Sequence, residues 1–107
     1  MKNKSEFYKN NNSYQGAGHP AYVFGEIEND FVYLDITHSK VVPNKKKGGF
    51  YYYERLKYNP NSKDKKQAYI SPFPYKANKK YFRNRVNWQF SDLDKTKIKK
   101  FQNRKWQ

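Results

Sequence analysis

The chain has 107 residues, with 23 Lys and Arg against 9 Asp and Glu, for a formal net charge of +14. This length fits one compact domain. With no cysteine and only two histidines, the chain lacks the material for disulfide frameworks, thiol nucleophiles and Cys- or His-rich metal sites. No apolar run approaches the roughly 18 residues of a membrane helix, and the N-terminal residues lack the apolar centre of a signal peptide. We therefore expect a cytoplasmic protein.

The composition indicates an aromatic core and a polyanionic partner. Only 12 residues are Val, Ile or Leu, whereas 21 are Tyr, Phe or Trp, and each buried ring removes a large apolar area from water. The charge is also localised, because residues 1–35 have a net charge of −2 and residues 36–107 a net charge of +16. A field of one sign over most of a small protein favours nucleic acid as the partner. An anionic membrane surface or an acidic protein is the alternative.

The first two predicted strands form a hairpin. Residues 1–18 are polar and without period, which predicts a disordered arm before a single domain over residues 19–107. Residues 20–28 and 31–38 alternate in the manner of strands, and a turn at Asn29-Asp30 would pair Ile27 with Val32. The open end of this hairpin then gathers five side chains suited to phosphate chemistry: His19, Thr37, His38, Ser39 and Lys40.

A third predicted strand, residues 50–58, follows a basic glycine-containing loop. Bases of single-stranded nucleic acid stack on aromatic rings while cations follow the phosphates. One face of this strand and the loop before it carry both kinds of side chain, and we predict that they bind nucleic acid: Lys45, Lys46, Lys47, Tyr51, Tyr53, Arg55 and Lys57. The alternative is that the tyrosines only cover a core poor in valine.

The remaining elements are a short strand and a helix. Residues 67–73 predict a strand that Pro72 and Pro74 confine to an edge or an end, whereas residues 75–90 give no clear assignment. Ser91 followed by Asp94 predicts the start of a helix over residues 92–105. Its sparse apolar stripe is Leu93, Ile98 and Phe101.

The hairpin end offers the side-chain types that a metal-free ribonuclease needs. One group must take the proton of the 2′-hydroxyl, another must protonate the leaving 5′-oxygen, and a cation must stabilise the phosphorane. Histidine suits proton transfer near neutral pH, and lysine suits phosphate charge. The alternative is that these are ordinary polar residues beside two strand ends.

Residues 16–24 and 32–40 resemble the start of the MazF/PemK-like toxin superfamily, including its ToxN-like RNA-antitoxin branch. The shared pattern is a glycine-rich loop, a basic residue before proline (arginine in the family, His19 here), an apolar strand, and a second strand that ends in Thr-x-x-Lys, matched by Thr37 and Lys40. The resemblance implies a metal-independent, cofactor-free endoribonuclease that leaves a cyclic phosphate. It also implies an antitoxin partner, either an acidic protein or an RNA.

Together these observations predict a mainly β fold, a small, partly open SH3-like or PemK-like barrel of four or five strands with a C-terminal helix. In the enzymatic interpretation His19 transfers protons, Thr37 and Lys40 contact the scissile phosphate, and His38 or Ser39 assists. The predicted function is binding of nucleic acid, RNA ahead of DNA. The alternative is a non-catalytic DNA- or RNA-binding accessory or inhibitor protein of a plasmid, phage or other mobile element.

Overall fold

The computed structural model describes residues 1–11 and 18–107, which form a mainly β structure with a C-terminal helix. The strands are β1 (Lys2–Asn10), β2 (Pro20–Ile27), β3 (Asp30–Thr37), β4 (Val41–Pro43), β5 (Phe50–Tyr52), β6 (Glu54–Arg55), β7 (Tyr69–Ile70), β8 (Tyr75–Asn78) and β9 (Phe82–Val86). A 3₁₀ turn, Lys79–Tyr81, joins β8 to β9, and helix α1 spans Asp92–Gln102.

Seven of these strands form one sheet in the order β6-β7-β3-β2-β1-β9, with β8 also paired to β3, while β4 and β5 pair only with each other. The two end strands, β6 and β9, do not pair with each other in the described chain, so the sheet stays open. The predicted fold class, a mainly β and partly open barrel with a C-terminal helix, is confirmed. The predicted number of strands is too low, because β1, β8 and β9 gave no strand signal and the third predicted strand is broken at Tyr53.

Strand β1 shows that the prediction of a disordered arm over residues 1–18 is wrong for its first part. Lys2–Asn10 lies within the sheet between β2 and β9. Phe7 is buried, and Glu6 makes ion pairs with Lys4 at 3.2 Å and Arg85 at 3.1 Å. The polar sequence forms a strand because its charges find partners within the sheet. The rest of the predicted arm, residues 12–17, lies outside the described residues.

The β2–β3 hairpin exists, but its predicted register is wrong. Ile27 pairs with Asp30 rather than with Val32. The two-residue turn therefore starts one position earlier than predicted, with Glu28 in the left-handed region at φ 53°. A β-bulge after Val23 then shifts the register once more. The start of β2 and the end of β3 nevertheless lie at the same end of the hairpin, because the two strands are antiparallel.

Both faces of this hairpin are buried, which explains why it organises the core. On one face Val32 and Leu34 belong to the apolar cluster that includes Ile98 and Phe101 of α1. On the other face Tyr33 packs among aromatic rings from β8 and β9. Two-sided burial is typical of the central strands of a sheet with layers on both sides.

Helix α1 begins after Ser91, as predicted, and ends about one turn earlier than predicted. Ile98 and Phe101 are buried, which confirms most of the predicted stripe, whereas Leu93 is 68% exposed and lies outside it. None of the helices in the described part of the chain has the length and apolarity needed to cross a membrane.

Candidate functional site

A groove of about 330 Å³ lies where β2 begins and β3 ends. We call it the histidine groove. Four of the five predicted catalytic side chains line it, together with residues from later in the chain that include an aspartate and a tryptophan: His19, Thr37, His38, Ser39, Asp64 and Trp88. The antiparallel hairpin brings the first four together, and the pairing of Thr37 with Tyr69 of β7 fixes the end of β3 beside the groove.

His19 is held by a buried carboxylate. Its Nδ1 lies 3.2 Å from Oδ1 of Asp35, a residue with no exposed surface. The hydrogen bond to Asp35 raises the pKa of His19 above its usual value, although partial burial and the positive charge of Lys45 act in the opposite direction. Nε2 makes no hydrogen bond to any of the described residues, so it is the ring nitrogen left for a ligand in the groove.

Asp35 is in turn fixed by hydroxyl groups of the core. The Tyr53 hydroxyl donates to Oδ2 of Asp35 at 2.6 Å and lies 3.1 Å from the hydroxyl of Tyr75. Burial raises the pKa of Tyr53, so this phenol stays protonated and acts as a donor. The backbone N–H of Asp35 donates to Oγ of Ser71 at 2.8 Å. Such outer contacts set the orientation of the carboxylate and therefore of the imidazole.

His38 has a carboxylate partner as well. Its Nε2 lies 2.7 Å from Oδ2 of Asp64, which belongs to the loop before β7. Asp64 also accepts the backbone N–H of Lys66, and this bond, followed by the bond to His38, lowers the pKa of Asp64. His38 is half-exposed, with 52% of its side chain accessible. The histidine groove therefore carries two histidines, each paired with its own aspartate.

Sequence reasoning missed both aspartates. Asp35 had a signal, since it is the one charged residue inside the otherwise apolar segment of β3, and buried carboxylates have partners. Asp64 had none, because it lies in a lysine-rich loop and reaches His38 only through the fold.

The lysine predicted to act at the catalytic site, Lys40, lies elsewhere, and Lys45 acts on His19 instead. Lys40 is not among the described residues that line the histidine groove, and its carbonyl oxygen accepts the backbone N–H of Tyr53 at 2.7 Å. The cation that acts on His19 is Lys45, whose charge lowers the pKa of that histidine. At the groove wall, the backbone N–H of Ser39 donates to Oγ1 of Thr37 at 3.3 Å.

The predicted aromatic and basic face does not form as a stacking platform. Tyr53 is only 2% exposed and therefore cannot stack on a base, while Tyr51 packs against Phe73 with ring centroids 4.9 Å apart. Tyr51 and Tyr53 share a face, but it packs on the core, and the break in the strand at Tyr53, between β5 and β6, leaves Arg55 and Lys57 on the exposed side. The cations of this region are exposed: Lys45, Lys46, Lys47, Arg55 and Lys57.

The loop that carries the three consecutive lysines has a defined shape. Oδ1 of Asn44 accepts the backbone N–H groups of Lys46 and Lys47 at 3.2 and 3.1 Å. Gly48 and Gly49 then adopt φ values of 80° and 73°, which glycine allows without strain. The loop thus presents its ammonium groups to solvent on an ordered backbone.

The chemistry available in the histidine groove is proton transfer. Two imidazoles, each oriented by a carboxylate, can act as an acid and a base on one ligand. In the parts of the chain that the structure describes, no three His, Asp or Glu side chains cluster closely enough to hold a metal ion. Comparison with protein-family models, with curated proteins and with solved structures finds no match to this chain.

Proposed function

We propose that this protein binds single-stranded RNA and cleaves it by metal-independent acid–base catalysis in the histidine groove. The observation that carries the proposal is the pair of His–Asp contacts, His19 with Asp35 and His38 with Asp64, on the wall of one groove. A neutral imidazole removes the 2′-hydroxyl proton as that oxygen attacks phosphorus. The bond to the 5′-oxygen breaks, and this oxygen takes a proton from the other imidazolium. The products are a 2′,3′-cyclic phosphate and a 5′-hydroxyl.

The electrostatics of the groove suggest a division of roles. The raised pKa of His19 favours its protonated form, which suits the acid that serves the leaving oxygen, and His38 is then the base. Lys45 is the cation whose positive charge acts on the pKa of His19. It therefore replaces Lys40 as the proposed phosphate contact. The hydroxyls of Thr37 and Ser39 can donate hydrogen bonds to the phosphate oxygens.

The wider setting follows from the resemblance of residues 16–40 to the MazF/PemK-like toxins. A cytoplasmic endoribonuclease of this type would act as a toxin, and its natural neutraliser would be an antitoxin that is either an acidic protein or an RNA. The excess of positive charge in residues 36–107 supports both kinds of partner through charge complementarity.

The test is cleavage of a single-stranded RNA oligonucleotide by the wild type and by His19→Ala, His38→Ala and the control Thr96→Ala. Thr96 is exposed on α1 and is not among the residues that line the histidine groove. We expect each histidine variant to lose activity by about 10²–10⁴-fold, and Thr96→Ala to retain it. Cleavage should persist in EDTA, and a 2′-deoxy residue at the scissile position should block it.

The competing function is a non-catalytic nucleic-acid-binding accessory or inhibitor protein. The observation that favours it is the buried network of Asp35, Tyr53 and Tyr75, which gives His19 a structural partner whether or not it transfers protons. If the wild-type protein binds RNA tightly and the RNA remains intact after incubation, this non-catalytic function is supported and the endoribonuclease is excluded. Unchanged cleavage by both histidine variants would instead show that the site is elsewhere.

A further inference from the structure

A second groove adjoins the histidine groove. It has a volume of about 520 Å³ and lies between β1, β2 and α1. We call it the aromatic groove. Its apolar floor consists of Phe7, Tyr22 and Phe90, whose ring centroids are 4.8–5.0 Å apart. Its volume falls within the range of about 300–1,000 Å³ typical of ligand sites.

Trp88 connects the two grooves. It is the residue that lines both the histidine groove and the aromatic groove. Its ring packs on Phe7 with centroids 5.8 Å apart, yet the side chain is only partly buried. The two grooves therefore meet at the side chain of Trp88.

The rim of the aromatic groove is basic and polar. Lys95 and Lys99 line it from α1, one turn apart, while Gln89 and Gln102 contribute amide groups. Lys99 makes no ion pair with any of the described residues, and Lys95 pairs only with Asp92, which is 94% exposed. Exposed pairs of this kind are weak, so the ammonium groups of both lysines are available to bind a phosphate.

We propose that the aromatic groove is a nucleotide subsite for the same RNA strand whose phosphate lies in the histidine groove. Trp88 stacks on a base that flanks the scissile phosphate, Lys95 and Lys99 bind backbone phosphates, and Gln89 and Gln102 contact base edges. An aromatic surface beside cations is the pattern that binds single-stranded nucleic acid. Since the strand is the one proposed as substrate, this inference rests on the proposed function.

The first test is fluorescence of Trp88 in the Trp106→Phe variant, in which Trp88 is the sole remaining tryptophan of the two. The probe is a 2′-O-methyl hexanucleotide, which cannot form a cyclic phosphate. We expect binding to quench the fluorescence, and Lys99→Glu to weaken binding about tenfold or more. The matched control is Lys100→Glu, which makes the same charge change one position along the helix and does not line the groove.

The second test separates a subsite from a structural role. Lys99→Glu should lower kcat/KM for a hexanucleotide RNA and leave cleavage of a dinucleotide unchanged, because the only phosphate between the two nucleosides of a dinucleotide is the scissile one, and no further backbone phosphate is present for Lys99 to bind. Equal effects on both substrates, or equal effects of Lys99→Glu and Lys100→Glu, would overturn the subsite.

The outcomes also separate this inference from the proposed function. RNA cleavage without any change in Trp88 fluorescence overturns the subsite and leaves catalysis in place. Quenching without cleavage supports the aromatic groove as a single-strand site and overturns the endoribonuclease. Quenching by poly-glutamate, with none by the oligonucleotide, overturns the subsite and identifies an acidic polypeptide as its ligand.

Discussion

At the scale of single residues, the histidine groove depends on Asp35, a carboxylate without solvent-exposed surface that contacts both His19 and Tyr53. A buried carboxylate is tolerated only where donors satisfy its oxygens. The Tyr53 hydroxyl provides one such donor on the side away from the groove. The phenol therefore supports the site without touching a ligand, and its loss should appear first as a loss of stability.

We expect Tyr53→Phe to lower the free energy of unfolding by about 1–3 kcal/mol, the cost of leaving a buried polar partner unsatisfied. Tyr52→Phe is the matched control. Tyr52 is 67% exposed, so removal of its hydroxyl should change stability by less than about 0.5 kcal/mol. Urea denaturation monitored by circular dichroism measures both. Equal stability of the two variants would contradict the role assigned to Tyr53.

The raised pKa of His19 links stability to pH. Because folding raises this pKa above the usual value of 6.5, protonation of His19 favours the folded state. The contribution is fully present below the unfolded pKa and is lost as the pH rises through the folded pKa. We therefore expect the wild type to lose unfolding free energy relative to His19→Gln as the pH rises from below the usual value of 6.5 through the raised pKa of the folded state. A difference that stays constant over this range would contradict the His19–Asp35 pairing.

At the scale of elements, α1 is tied to the sheet through the buried Asp94. Its carboxylate accepts the backbone N–H groups of Lys57 and Tyr58 at 2.8 and 3.2 Å, as well as the Ser91 hydroxyl at 3.1 Å. The pair Ser91 and Asp94 thus marks the helix start as the sequence predicted. Instead of closing a capping box within the helix, the carboxylate holds the chain that follows β6.

We expect Asp94→Ala to lower the free energy of unfolding by about 1.5–3 kcal/mol, the range for hydrogen bonds to a charged group. Asp92→Ala is the control, because Asp92 is 94% exposed and makes only an ion pair with Lys95, an interaction worth at most about 1 kcal/mol. Thermal and urea unfolding compare the two variants. A larger effect at Asp92 would show that charge near the helix start, rather than the contact with the chain that follows β6, holds α1.

The sequence predicted those elements whose signals are local. The alternation in β2 and β3 and the Ser91 helix start depend on residues close in the chain. The register of the hairpin depended on the left-handed conformation of Glu28 and on a bulge after Val23, which no local pattern specifies. Strand β1 escaped prediction because its partners β2 and β9 supply the ion pairs that stabilise its polar residues.

The same reasoning explains the candidate site. His19 and His38 were predicted as neighbours because any antiparallel pairing of β2 with β3 brings the start of one to the end of the other. Their aspartate partners required the tertiary structure. The stacking face failed because Tyr51 and Tyr53 share the face that packs on the core, whereas Tyr52 between them is exposed.

At the scale of the whole molecule, the positive charge is unevenly compensated. In the described chain five of the 23 Lys and Arg side chains form ion pairs with Asp or Glu: Lys4, Lys76, Lys79, Arg85 and Lys95. Most of these pairs involve β1, β2, β8 and β9. The lysine loop before β5 and most of α1 carry cations without acidic partners, and these two regions lie beside the histidine groove and the aromatic groove.

Salt dependence of RNA binding tests this division of charge. Each phosphate neutralised on a single strand contributes about −0.7 to the slope of log K against log salt concentration, because binding releases condensed counterions. Lys99→Gln should make the slope less negative by about that amount. Lys4→Gln should leave it unchanged, since Lys4 already lies 3.2 Å from Glu6 and 3.4 Å from Glu26. Fluorescence anisotropy of a labelled oligonucleotide at several salt concentrations gives both slopes. Equal slopes for the two variants would mean that RNA binding follows net charge alone and not the lysines that lack acidic partners.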